Sequence, residues 1–143
     1  MRTLTIAVSA AAWLAACSPP GQEPPAPVAE TATPAADEAP PAPPPPQGVE
    51  FRAVGQEPGW MLDITSVALD LTLDYGDTRL TLPPRPPSYP EEGVTRYETR
   101  NNEHTLTVTI TRTPCADSMS GAQYPARAEI VIDGRRLEGC GRS

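Results

Sequence analysis

Proline distribution limits this chain more than any other feature. Twelve of its 20 prolines fall between Pro19 and Pro46. The stretch is dominated by Pro, Ala, Glu and Thr, with Val28 its only large apolar side chain. Such a segment cannot bury enough surface to offset the entropy of ordering it. Pro43-Pro44-Pro45-Pro46 favours an extended polyproline II path. The foldable part is therefore residues 49–143, about 95 of the 143 positions, enough for one small domain. A large multi-domain enzyme is excluded. So is a polytopic membrane protein, because no run of about 20 apolar residues occurs.

Within 49–143 the apolar residues recur with period two. Phe51 and Ala53 alternate with Arg52 and Val54, and Trp60, Leu62 and Ile64 with Met61, Asp63 and Thr65. The clearest run is Val67, Leu69, Leu71, Leu73 and Tyr75, followed by Leu80 and Leu82 beyond Gly76-Asp77. Leu106, Val108 and Ile110 alternate with threonines, and Ala128, Ile130 and Ile132 with Arg127, Glu129 and Val131. This is the pattern of half-buried strands, and no segment shows a 3.6-residue repeat. Asp133-Gly134 predicts a hairpin turn into a strand over 135–138, and the proline-rich residues 83–90 predict a loop. Seven to eight short antiparallel strands in this length imply an all-β fold, a small barrel or sandwich. The chain has one Phe, two Trp and four Tyr, so the core is expected to be mostly aliphatic and small. A domain of this size gains from a covalent staple.

The formal net charge is −7, and all 11 basic residues are Arg. Residues 18–48 carry Glu23, Glu30, Asp37 and Glu38 and no base. An acidic chain without a basic stripe argues against nucleic acid as a partner. The lack of Lys removes Schiff-base and phosphate-loop chemistry.

Arg2 precedes a short apolar stretch, Leu4 to Ala16, that ends in Leu14-Ala15-Ala16-Cys17. The stretch is too short to span a bilayer stably and has signal-peptide anatomy. Its end resembles the lipobox of bacterial lipoproteins. That resemblance implies a signal peptide over 1–16, cleavage before Cys17, and lipidation of Cys17 with three acyl chains. This exceeds the two-signal requirement for stable anchoring. Ser18, where Asp favours inner-membrane retention in enterobacterial lipoproteins, implies the outer membrane, facing the periplasm. Residues 17–48 then form the lipidated Cys and a tether reaching roughly 90 Å when extended. With Cys17 acylated, Cys115 and Cys140 are left as a pair. A disulfide between them closes a loop of about 25 residues, worth roughly 3 kcal/mol, and is expected to tie the last strand to the barrel rim. The alternative is a metal site from Cys115, Cys140, Asp117 and His104, which lacks any close ligand pair.

Three local patterns carry a second resemblance: Gly55-Gln56-Glu57-Pro58-Gly59-Trp60, then Cys115-Ala116-Asp117-Ser118-Met119-Ser120 with Tyr124-Pro125, then Leu137-Glu138-Gly139-Cys140. Together they resemble an uncharacterised family of bacterial envelope proteins with a G-x-E-P-x-W start, a C-x-D-x-M-S and Y-P segment, and an L-x-G-C end. The resemblance implies a small β domain, weakly similar to META-type domains, with the turn Glu57, Pro58, Trp60 as a family motif. Read from the residues, Gly55 and Gly59 are expected to supply unusual backbone angles. Glu57 is expected to accept backbone N–H bonds, Trp60 to plug the core, and Met119 to pack inward. Asp117, Ser118 and Ser120 are suited to closing a loop. The sharper reading makes Asp117, Ser118, Met119, Ser120 and Tyr124 a recognition loop held by the disulfide. Ser120-Gly121-Ala122-Gln123-Tyr124 also resembles the S-G-A-x-Y signature of c-type lysozyme inhibitors. There a Ser enters the enzyme's cleft and a downstream Lys, absent here, pairs with its catalytic acid.

No catalytic set is visible. His104 is the only His and opens a Thr-rich strand, and no nucleophile motif, zinc motif or phosphate loop occurs. The expectation is a lipid-anchored envelope protein with a non-catalytic β domain and no cofactor. Its partners are the membrane and an envelope protein; the alternative is a c-type lysozyme inhibitor.

Overall fold

A computed structural model describes residues 39–143. The expected signal peptide, Cys17 and tether residues up to 38 lie outside the described residues. The all-β expectation is met. The strands are β1 (Val49–Gln56), β2 (Gly59–Thr65), β3 (Leu69–Leu73), β4 (Thr78–Leu82), β5 (Val94–Arg100), β6 (Thr105–Thr111), β7 (Cys115–Ala116), β8 (Gln123–Tyr124), β9 (Ala126–Ile132) and β10 (Arg135–Arg142). Eight of them form one antiparallel sheet in the order β4-β3-β2-β1-β10-β9-β6-β5, and β7 pairs with β8 alone. The sheet curls into a nearly closed barrel.

Strand alternation decides the inside. Phe51, Ala53, Leu62, Ile64, Leu69, Leu71, Leu82, Leu106, Val108, Ile130 and Leu137 belong to one apolar cluster. The intervening side chains, such as the Arg52–Asp63 pair at 2.6 Å, face outward. The edges β4 and β5 are not paired to each other. Residues 83–90 bridge this seam. Thr99 Oγ1 donates to the Pro83 carbonyl at 2.6 Å. Ser88 and Arg96 exchange backbone bonds of 2.8 and 2.9 Å. Five prolines in this segment cannot donate to a ladder, so the closure is made of single contacts.

Several expectations need correction. The run from Val67 to Tyr75 is strand only from Leu69 to Leu73. Val67 and Tyr75 are 77% and 73% exposed, because Ser66 and Val67 turn the chain and Asp74–Gly76 is a 3-10 turn with Tyr75 at φ 58°. The last strand runs on to Arg142. Gly55 and Gly59 do not adopt positive φ. Their role is space: a Cβ on Gly55 would lie 2.1 Å from the Trp60 ring, and one on Gly59 2.4 Å from the Tyr75 ring. Asp133 and Gly134, at φ 50° and 87°, do make the expected hairpin turn.

The packed chain also begins earlier than residue 49. Ala42 N donates to Gln123 O at 2.9 Å, Gln123 N donates to Pro40 O at 3.0 Å, and Ala42 is 2% exposed. The end of the expected tether, 40–42, is therefore a strap on β8. Backbone pairing asks little of side chains, so composition gave no sign of it.

Candidate functional site

The three sequence patterns meet on one wall of the barrel. β1 and β10 are neighbours, with Val54 opposite Cys140 and Ala53 opposite Gly141. Phe51, Ala53 and Gly55 face the core, so Arg52, Val54 and Gln56 face outward, as does Cys140 beside them. Chain segment 113–125 leaves β6, crosses this outer wall and returns as β9. The Cys115–Cys140 disulfide, with Cα atoms 5.5 Å apart, fixes it there. The disulfide therefore ties the loop to the wall rather than the last strand to a barrel rim. It also removes the metal alternative, since both sulfurs are bonded to each other. Among the described residues, no group of three His, Cys, Asp or Glu side chains could hold a metal ion.

Asp117 organises the loop. Its carboxylate is buried and accepts from Gln56 Nε2 at 2.9 Å, Ser120 N at 2.8 Å and Ser120 Oγ at 2.5 Å. Burial pushes this carboxyl up, and the bonds from Ser120, Gln56 and Met119 more than offset it, holding it below the usual carboxylate range. Gly121 N donates to Asp117 O and Asp117 N to Ala122 O, both at 2.9 Å. Ala122 N donates to Ser120 Oγ at 3.2 Å. The Ser120 hydroxyl thus directs its proton to Asp117 and receives one from Ala122. Tyr124 is half-buried beside it. Burial and then Asp117 raise its pKa, against the opposite pull of Arg142 and Arg52.

Met119 does not pack inward as expected: it is 72% exposed at the loop tip. Ser118 is exposed beside it. Of the five expected loop residues, Asp117 and Ser120 build the loop, Ser118 and Met119 are presented, and Tyr124 leans on the wall.

The turn motif lies at the same end of the wall. Gln56 and Gly59 pair across a two-residue turn, Glu57-Pro58, whose peptide bond is cis, a type VI turn. Glu57 is exposed at its tip, and among the described residues its side chain accepts no backbone N–H. Tyr75 Oη instead donates to Gln56 O at 3.0 Å. Trp60 is 5% exposed, the expected core plug. A Cβ on Gly139 would stand 2.0 Å from Val54 O and 2.7 Å from the Trp60 ring, so the L-x-G-C pattern supplies a slot and a sulfur on successive residues. Sequence reasoning assigned no role to Gln56. The signal was its outward register, shared with Cys140. A groove of about 340 Å³ runs between loop and wall, bordered by Gln56, Asp117, Ser118, Arg127 and Glu138.

His104 lies elsewhere. Its Nδ1 is 2.7 Å from Asp133 Oδ2, while Asp133 Oδ1 accepts from Thr105 N at 2.8 Å. The pair staples the β9–β10 turn to β6.

No family model, no curated protein and no solved structure matches this chain.

Proposed function

We propose that this chain is a lipid-anchored envelope protein whose β domain binds a partner protein through the loop 117–124. One observation carries the binding reading. The loop is fixed at three points, by the disulfide, by Gln56–Asp117 and by the strap on Gln123, yet it exposes Met119 at its tip. A large apolar side chain held out on a rigid loop loses little entropy on binding and adapts well to a partner. The anchoring reading rests on Leu14-Ala15-Ala16-Cys17, and the outer-membrane address on Ser18.

The resemblance to c-type lysozyme inhibitors falls on the same loop. It has less support, because the Ser120 hydroxyl is engaged within the loop and the chain has no Lys.

In-cell photo-crosslinking tests the reading. A photoreactive residue at 119 should give a discrete adduct, while one at exposed Glu91, between residues 83–90 and β5, should not. No adduct at 119, or the same adducts at both positions, would refute it. Fatty-acid labelling that is equal in wild type and Cys17→Ala removes the anchor. Loss of c-type lysozyme turbidity clearing on adding the chain would favour inhibition instead.

A further inference from the structure

The end of the barrel where β1 begins and β10 ends holds two adjoining cavities, of about 410 and 450 Å³, that share Glu50 and Tyr97. Both volumes fall in the range of small-molecule sites, and barrel mouths are common places for them. The first has an apolar floor of Phe51, Tyr97, Ile110 and Ala126. Phe51, Ile110 and Ala126 are core residues whose outer surfaces form that floor.

Three charged side chains stand at its rim, Glu50, Arg112 and Arg142. Among the described residues none of the three makes an ion pair. Glu50 stands at the register shift in β1, between Val49 and Phe51, and such an irregularity re-aims a side chain. Arg112 follows Ile110 by two residues and so continues the inward-facing series of β6 past its end. Arg142, also at this rim, is engaged by the Ala42 carbonyl of the strap. Glu50, Tyr89 and Tyr97 line the second cavity together.

The geometry points to a binding site at this barrel mouth for a short zwitterionic peptide with apolar side chains. Its ammonium pairs with Glu50, its carboxylate with Arg112, and its side chains rest on Phe51, Tyr97 and Ile110. A carboxylate and two guanidinium groups, none in an ion pair, over an apolar floor match a ligand that carries both charges on an apolar body. A purely anionic ligand would meet Glu50, and a purely cationic one Arg112. The cavity stands at the Glu50 end of β1, whereas Asp117 of the loop meets Gln56 at the other end, and the proposal does not depend on the loop's role.

The test is a titration of the full-length 15N-labelled chain with the dipeptide Leu-Phe, followed by amide NMR. N-acetyl-Leu-Phe and Leu-Phe-amide serve as singly blocked probes. Saturable shifts are expected at Phe51, Tyr97, Ile110 and Ala126. Each blocked probe should bind roughly tenfold more weakly, the scale of one lost charge-assisted hydrogen bond. Glu50→Gln should cancel the discrimination against the acetylated probe, and Arg112→Gln that against the amide. No saturable shift with Leu-Phe into the millimolar range overturns the proposal. So does equal affinity for all three probes in the wild type, or a response centred on residues 117–124.

Discussion

Replacing Asp117 by Ala is the most direct test of how the loop is held. The carboxylate receives Gln56 Nε2 at 2.9 Å, Ser120 N at 2.8 Å and Ser120 Oγ at 2.5 Å. Hydrogen bonds to a charged group contribute about 1.5–3 kcal/mol each. They share one carboxylate and do not add, and the hydroxyl and amide regain water when the loop loosens. A loss of about 2–4 kcal/mol is therefore expected for Asp117→Ala. Asp117→Asn keeps one acceptor oxygen but points an NH2 at donors, for a loss of about 1–3 kcal/mol. Urea unfolding followed by far-UV circular dichroism reads the global effect. Amide exchange at Ser120, Gly121 and Ala122 reads the loop itself, which the disulfide keeps attached even when loosened. The sign with pH is fixed as well. The folded carboxyl titrates below its unfolded value of about 3.9. Its stabilisation is therefore present above that value and lost as pH falls through the lower folded one. The gap between wild type and Asp117→Asn should close below about pH 4. An Asp117→Ala protein with wild-type urea midpoint and unchanged exchange at Ser120 refutes the assigned role.

Two further perturbations test the wall beneath the loop. Cys115→Ser with Cys140→Ser opens a loop of 25 residues and should lower stability by about 3 kcal/mol, seen as a lower denaturant midpoint matched by the wild type in reductant; an unchanged midpoint in both rejects the staple. Gly139→Ala places a methyl 2.0 Å from Val54 O, a backbone atom unable to swing aside, and 2.7 Å from the Trp60 ring. The β1–β10 pairing must then part, at a cost of about 1–3 kcal/mol or more, with raised exchange at Val54 and an altered near-ultraviolet Trp signal; retained stability and spectra show that the slot has slack.

What was legible in the sequence was whatever burial writes as period two. β2, β6 and β9 could be read from Leu62–Ile64, Leu106–Ile110 and Ala128–Ile132, because both faces of those strands differ sharply in polarity. β5 was not, since its inward positions include Thr95 and Thr99 and its outward ones are Arg96, Glu98 and Arg100. A buried Thr that bonds a carbonyl across the seam looks, in sequence, like a solvated one. Val67 and Tyr75 failed for the reverse reason: they continue the alternation of Leu69–Leu73 beyond the point where the backbone turns. Residue type alone suggests that Met119 packs inward, but a side chain's type does not say which way a short loop aims it. The Asp117–Ser120 contact was readable because it is local. Its partner Gln56 lies 61 residues away and was hidden, since pairing across a wall depends on strand order.

Strand order also explains why the chain's two ends matter to the loop. β1 and β10 are adjacent, so the segment entering β1 and the strand ending at Arg142 are brought together on the wall the loop covers. Arg142 donates to the Ala42 carbonyl, Ala42 and Pro40 pair with Gln123, and Gln123 begins β8 within the loop. The strap, the last strand and the loop thus brace one another. If Cys17 is the anchor, the segment between it and the strap is the 22 positions from Ser18 to Ala39 rather than all of 18–48. At about 3.1 Å per residue its reach is then about 70 Å rather than 90. Deleting several residues between Ser18 and Ala39 should shorten that reach without loosening the domain. Deleting Pro40–Ala42 removes the β8 pairing and should raise exchange at Gln123, a difference in kind that a uniformly flexible tether ending at Gly48 does not produce.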